Sequence, residues 1–285
     1  KAYALLAVII AVLVSCVYHF RLMAKKWIVL MKKIDKTDAP TKLEAYRRLR
    51  PTAKWEKFVD KTNRRKQAQN HIKGDQGGLC AYCEINLKNA DENGKADFRV
   101  EHFHPKSDYS TVHNWHLDWQ NLLGCCHGGS QANVVEAGER HSSPDHSCDV
   151  PKGNENWDDV ILNPLNIPHT PILFSFNRTD GAISLNNDNC DQVGVDKVKA
   201  QATIDNLRLD SDRLRRLRKA ALDNVNDSLR ELIAEGMKIE DARSRLARGL
   251  LRKNDQDHWP AFFSSLRDYL GSAAEHQLTD IGYIG

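Results

Sequence analysis

The sequence predicts an α+β chain in which a small two-stranded finger is embedded in a mostly helical domain. Three observations predict it. Cys80-Ala-Tyr-Cys83 places two thiols on one tight turn, and further thiols recur at Cys125, Cys126 and Cys148. Between them Ala96 to Phe103 alternates apolar and polar residues as a strand does, with Phe98 and Val100 on one face and Arg99 and Glu101 on the other. From Asp212 the residues Leu214, Leu217, Ala221, Val225, Leu229 and Ile233 make one apolar stripe at helical spacing, with Ser211 as its cap.

The chain in order divides into an apolar extension (1–30), a basic helical segment (31–78), a thiol-bearing core (79–155), an extended hairpin region (156–200) and a helical C-terminal region (201–285). Ala2 to Tyr18 carries no charge and is followed by His19, Arg21, Lys25 and Lys26. As a helix it would span about 25 Å, short of the roughly 30 Å hydrocarbon core. Those charges would then lie on the cytoplasmic side, and no small-residue cleavage pattern marks a signal peptide. Met31-Lys32-Lys33 reads as a natural start. A non-native extension is therefore expected ahead of a membrane anchor, with the body of the chain cytoplasmic.

Thr41 to Asn70 reads as helix broken at Pro51, with Leu43, Tyr46, Trp55, Phe58 and Val59 at three-to-four spacing. Its other face carries Lys54, Lys57, Lys61, Arg64, Arg65 and Lys66, which is either a solvated face or one that meets phosphates. Asp91 to Gly94 marks a turn before the strand, and Asp118 to Cys126 reads as the returning strand. His127 to Ser147 is rich in Gly, Ser and His, the composition of a loop. Leu173 to Phe176 and Ala182 to Leu185 flank Asn177-Arg-Thr-Asp-Gly181 as a hairpin. A last helix is expected over about 240–253, with Trp259 to Leu270 closing the domain by aromatic packing.

The net charge of +3 neither requires nor excludes nucleic acid, so local clustering must decide. Seven cysteines make an odd count, and the Cys-x-x-Cys spacing favours a tetrahedral metal in a reducing compartment over disulfides. Soft thiolates in pairs are what structural zinc needs. No G-x-x-x-x-G-K-(S/T) occurs, so any ATP hydrolysis must come from a partner.

The order Cys80-x-x-Cys83, Glu101-His102-x-x-Pro105, Asn121-Leu122-x-x-x-Cys126, Cys148-Asp149-x-x-Lys152 resembles the HNH endonuclease family. The wording EHFHPKS, DWQNLLGCC and CDVPKGN is most similar to the PtuB-type HNH subunit of Septu and retron-associated anti-phage defence systems. That resemblance implies a zinc-stapled ββα-metal finger with Cys80, Cys83, Cys126 and Cys148 as the structural zinc ligands. Register assigns Cys126 as the ligand and leaves Cys125 as a small buried hydrophobe. Two later thiols normally two residues apart are here separated by the loop that follows Cys126.

The resemblance also implies chemistry. Phosphodiester hydrolysis needs a base to make hydroxide and a cation to neutralise developing charge. His102 is the candidate base and Glu101, where the family usually has Asp, a ligand for Mg²⁺ or Mn²⁺. Asn121 resembles the residue that pins the metal loop by hydrogen bonding. Asp149 is the second candidate ligand for that catalytic cation, with His127 and His146 as competitors. His104 is expected on the substrate side or in a structural role. Lys106, Lys152, Arg213 and Arg216 are the candidate nucleic-acid contacts. The implied activity is DNA cleavage in a defence complex gated by an ATPase subunit. An RNase acting on tRNA or other structured RNA, and a non-catalytic zinc-dependent nucleic-acid-binding module, are the alternatives.

Overall fold

A computed structural model describes residues 31–88, 98–132, 137–143 and 145–285. The apolar stretch 2–18, read as a non-native extension ahead of a membrane anchor, and the turn at 91–94 lie outside the described residues. Among the described residues no helix is long and apolar enough to cross a membrane. The expected α+β composition is present: helices surround two separate two-stranded antiparallel sheets.

The basic segment forms three helices, α1 (Thr41–Leu49), α2 (Trp55–Val59) and α3 (Thr62–Asp75). Proline fixes φ and disfavours helix at the residue before it, so Pro51 ends the first run as expected. The second break, at 60–61, has no such breaker in the sequence. Leu43, Tyr46, Trp55, Phe58, Ala68 and Ile72 are the buried side of this layer.

The first sheet pairs β1 (Phe98–His102) with β2 (Leu122–Cys126), in the register Phe98↔Cys126, Val100↔Gly124 and His102↔Leu122. A 3₁₀ turn (Trp119–Asn121) leads into β2, its end held by the Asp118 carboxylate, which accepts from Gln120 N–H. All of β2 is buried, because α3 covers its outer edge. There Gln76, 1% exposed, donates Nε2–H to Gly124 O (2.8 Å) and accepts from Gly124 N–H (2.6 Å), while Ala81 N–H donates to the same carbonyl (2.9 Å). A Cβ at Gly124 would lie 2.8 Å from Ile72 Cγ2, so only glycine permits this approach.

The loop after β2 is closed at its base. Ser147 N–H donates to Gly128 O (2.9 Å), and a Cβ at Gly128 would lie 2.1 Å from Ser147 O. This juncture returns the chain beside Cys126 after the intervening residues, which include the short helix α4 (Ala137–Arg140). A helix was expected near the second thiol segment. Instead residues 148–154 form turns, with one helical bond, Gly153 N–H to Asp149 O at 3.2 Å.

The second sheet is the expected hairpin, β3 (Phe174–Phe176) with β4 (Ile183–Leu185). The region read as extended also holds α5 (Asn187–Val193) and α6 (Lys197–Asn206), the latter running across position 200. Next come α7 (Asp212–Ala234), α8 (Ile239–Leu250), α9 (Phe263–Leu270) and α10 (Ser272–Asp280). The stripe of α7 is rotated from the expected one: Leu214, Arg218, Leu222, Val225 and Leu229 are buried, whereas Ile233 is 41% exposed. Ser211 occupies the N-cap without a side-chain capping bond.

Two apolar cores result. One joins the N-terminal helices, the β1–β2 sheet and the hairpin; the other fills the space between α7, α8, α9 and α10 and includes Leu79. Leu79 precedes the first thiol, so the knuckle is tied to the helical core. Glu84 reinforces that tie: its buried carboxylate accepts from Lys32 N–H (2.8 Å), Ser264 Oγ–H (2.6 Å) and Ser264 N–H (2.8 Å). It thus fills the anion position at the N-terminus of α9.

Candidate active site

Cys80 and Cys83 come from the first knuckle, Cys126 from the end of β2 and Cys148 from the far side of the closed loop. Their sulfurs all lie within 4.8 Å of one another. The Cys80–Cys148, Cys83–Cys126 and Cys126–Cys148 separations are 3.9, 3.6 and 3.5 Å. Zn–S bonds of about 2.3 Å in a tetrahedron put sulfurs about 3.8 Å apart, so the donor set fits zinc. Backbone N–H groups of Cys126 and Gly128 point at the sulfurs of Cys80 (3.3 Å) and Cys126 (3.4 Å), which stabilises thiolate. Burial alone would raise the Cys80 thiol, yet hydrogen bonds from its neighbours hold it well below the usual range. Hydrogen bonding to Cys126 and Cys80 pushes Cys148 up. Four thiols this close cannot all ionise without a cation among them. Cys125, also buried, stands outside the group.

Arg213 belongs to this centre and not to a nucleic-acid surface. It is 5% exposed, donates Nη2–H to Ser147 Oγ (2.6 Å), and keeps its charge because the thiolates outweigh the cost of burial. A four-thiolate zinc carries excess negative charge, and a buried guanidinium beside it is a counter-charge. The basic run 213–219 gave no signal of which arginine turns inward.

Cys148 and Asp149 are consecutive, and here the centre meets a second feature. Arg99, Glu101 and His102 on β1 line an open cleft of 290 Å³ with Pro105, Lys106 and Asn154. Glu101 is 6% exposed and pairs with Lys152 Nζ (2.9 Å); burial raises its carboxyl. Asp149 is buried and pairs with Arg99 Nε (3.1 Å). Burial first, then the negative charge of Glu101 against the opposing pull of Arg99, carries its carboxyl up to about 7. Of the three competitors to complete the cation site, Asp149 is the one paired to Arg99 of the cleft wall, and it feels the negative charge of Glu101. His127 lines a separate small cavity with Cys126 and Arg213, and His146 is half-buried.

His102 ends β1, 6% exposed, with Nε2 3.2 Å from His116 O and its ring edge-on to Trp55. Burial, reinforced by Lys106, depresses its imidazole to about 3, so the ring is neutral near pH 7. Asn121 accepts from His104 N–H (2.7 Å) and donates to His104 O (2.9 Å) and Trp115 O (3.1 Å), locking the loop between the strands. His104 lies apart from the cleft, between Asp158 (2.6 Å) and Asp108 (2.9 Å) and against the Trp115 ring.

Lys152 is 1% exposed, spanning Glu101 and His102 O (3.3 Å). Lys106, at the cleft edge, pairs with Glu56. Arg216 is exposed on α7. Arg99 was missed by sequence reading, although its place two residues before Glu101 puts it on the same strand face.

No family model matches the chain. It is 30% identical over 260 residues to a protein named "Retron Ec83 putative HNH endonuclease" from Escherichia coli, covering 84% of this chain and 93% of that one. The chain belongs to the HNH endonuclease family. As an HNH nuclease it is an enzyme, and its sharpest motifs are the segments that converge on the four sulfurs and the adjoining cleft.

Proposed function

We infer that this HNH enzyme hydrolyses DNA at the Glu101–His102 cleft, as the nuclease of an anti-phage defence complex. The observation that carries the reading is the neutral His102 on the wall of a cleft that also holds Glu101, with the buried Asp149 paired to Arg99 of the same wall. In this reading β1, β2 and the turn at 149–153 are the ββα-metal finger, with the turn standing in the place of its helix.

Glu101 and Asp149 are the residues that would hold Mg²⁺ or Mn²⁺; both are oxygen donors, and burial, with the negative charge of Glu101 adding to it against Arg99, raises the Asp149 carboxyl. Such a cation would neutralise charge on the scissile phosphate and the departing oxygen. His102, neutral before the reaction, accepts a proton from water as that water attacks phosphorus. A bound phosphate brings negative charge and raises the imidazole from its depressed value toward the range where a base is effective. Lys152 and Arg99 keep the carboxylates oriented and lend positive charge to the phosphate. Asn121 fixes the loop so that β1 presents His102 at one position. Zinc holds the strands and the turn at fixed separation.

The retron-linked name of the relative supports the defence role, and the absence of a phosphate-binding loop motif leaves gating by ATP to an ATPase partner. The test is cleavage of plasmid DNA with Mg²⁺ or Mn²⁺, total RNA in parallel. Metal-dependent nicking of the plasmid supports the reading. Degradation of RNA alone, or binding without cleavage, overturns it.

A further inference from the structure

A second cleft lies on the other side of the finger. β2 meets β1 along one edge; along the other Gly124 meets Gln76 and Ala81, and the next residue, Gly77, accepts Trp259 N–H at 2.9 Å. Beyond Gly77 a cleft of 630 Å³ opens, against 290 Å³ at Glu101 and His102, and the two share no lining residue. Lys73, Lys88, Arg252, Lys253 and His258 line it, with Asp255 as the one acid among its lining residues. The field is felt locally: burial and then Lys73, with Lys253 adding to it, lower the His258 imidazole, Asp257 opposing. Trp259, in the wall, buries an indole N–H that has no hydrogen-bond partner among the described residues.

The charge continues outward. Arg245 and Arg248 are exposed one turn apart on α8, and Arg252 follows just beyond its end. None of the three forms an ion pair with a described residue, whereas Lys253 pairs with Asp257 (3.0 Å). Exposed, unpaired arginines in a row are favourable for a polyanion. A small anion would need only the pocket; a row running onto the helix suits a strand.

We propose that this cleft and the arginine row leading into it form a second nucleic-acid contact, taking the phosphates of a strand beyond the bond being cut. It rests on the nuclease reading only for the identity of the polyanion. The contacts are electrostatic, so they position the chain without reading sequence.

The test uses the full chain and a fluorescein-labelled DNA duplex of about 30 base pairs, with anisotropy followed between about 50 and 200 mM salt and no added divalent ion. Arg248→Glu with Arg252→Glu is expected to weaken binding about tenfold or more and to reduce the slope of log affinity against log salt by about 2, near 0.9 for each lost phosphate contact. Both side chains are exposed, so the fold is spared, and zinc content checks that. Arg248→Lys with Arg252→Lys keeps the charge and is expected to keep the slope. Duplex affinity within about twofold of the parent for the Glu pair overturns the proposal. So does saturable binding of a fluorescent mononucleotide that the Glu pair abolishes while duplex binding is untouched, since the pocket then takes a small ligand. Full cleavage by His102→Ala alongside charge-dependent duplex binding would remove the catalytic assignment and leave this surface standing.

Discussion

The four-sulfur centre and the Glu101–His102 cleft share the same two strands and even adjacent residues, Cys148 and Asp149, yet they are built to opposite rules. The sulfurs are closed off, each met by neighbours within bonding range of one ion, with N–H groups and a buried guanidinium supplying the surroundings. The cleft is open, and the His102 imidazole on its wall and the buried Asp149 carboxyl paired to Arg99 of that wall are held in states that cost free energy, the carboxyl carried up to about 7 and the imidazole down to about 3. A closed centre that holds its metal contributes to folding; an open one with buried charge stores unfavourable burial that a bound substrate or cation would relieve. Substitutions on the two sides should therefore separate cleanly.

The largest effect belongs to the closed centre. Cys83→Ser removes one thiolate from a set whose metal affinity is folding free energy, of order 10 kcal/mol for structural zinc. Loss of bound zinc and of cooperative unfolding together is the expected result, measured by metal analysis and thermal melting. A variant that melts like the parent would break the contrast. On the open side His102→Ala is expected to lower cleavage by about 10²–10⁴-fold, the range for a general base, with zinc stoichiometry unchanged. Here the readout is plasmid nicking beside metal analysis, and undiminished nicking breaks it from the other direction.

Those two outcomes touch the part of the molecule that was legible in sequence, and the reason is physical. Zinc requires a residue type and a spacing, so Cys80, Cys83, Cys126 and Cys148 could be picked out, even across a long loop, once the N-L-x-x-x-C pattern, which resembles the family's, separated Cys126 from Cys125. Burial of charge leaves no such mark. Arg213 and Lys152 read as surface cations because lysine and arginine usually are, and their partners are distant in sequence. The helices α5 and α6 were missed in an Asn- and Asp-rich stretch with little periodicity. Their signals were caps: Asn186 accepts from Asn189 N–H, Asp196 from Val198 and Lys199 N–H, and Gly194 takes a left-handed φ of 66° between them.

A smaller effect tests the stored burial directly. Asp149 titrates near 3.8 when unfolded and is carried to about 7 in the fold, so its contribution to stability is present below about pH 3.8 and lost as pH rises through 7. A change of that size corresponds to a few kcal/mol, at about 1.4 kcal/mol for each tenfold in proton affinity. His102 runs the other way: its contribution is present above about 6.5 and lost as pH falls toward 3. Asp149→Asn removes the first dependence alone. Denaturant titrations at pH 4.5 and 8 without added divalent ion should show the variant gaining on the parent by a few kcal/mol at the higher pH. Added Mg²⁺ or Mn²⁺ should erase most of that gain. A difference independent of pH would mean that Asp149 is comfortably ionised, and the cleft would lose its claim to hold a cation.

The smallest effect concerns Glu84, next to Cys83 but facing away from both sites. Its carboxylate satisfies three donors, from Lys32 and Ser264, and joins the knuckle to the start of α9. Glu84→Gln retains one acceptor oxygen and presents an amide N–H₂ where the Ser264 N–H or the paired donors must be met. One buried donor is left unsatisfied and a charge-assisted bond is lost, together worth about 1.5–3 kcal/mol. Stability measured by denaturant should fall by that amount with zinc content and nicking both retained. If nicking falls as well, the second apolar core is coupled to the cleft through the knuckle. The two regions would then be one cooperative device, in which packing around α9 sets how β1 presents His102.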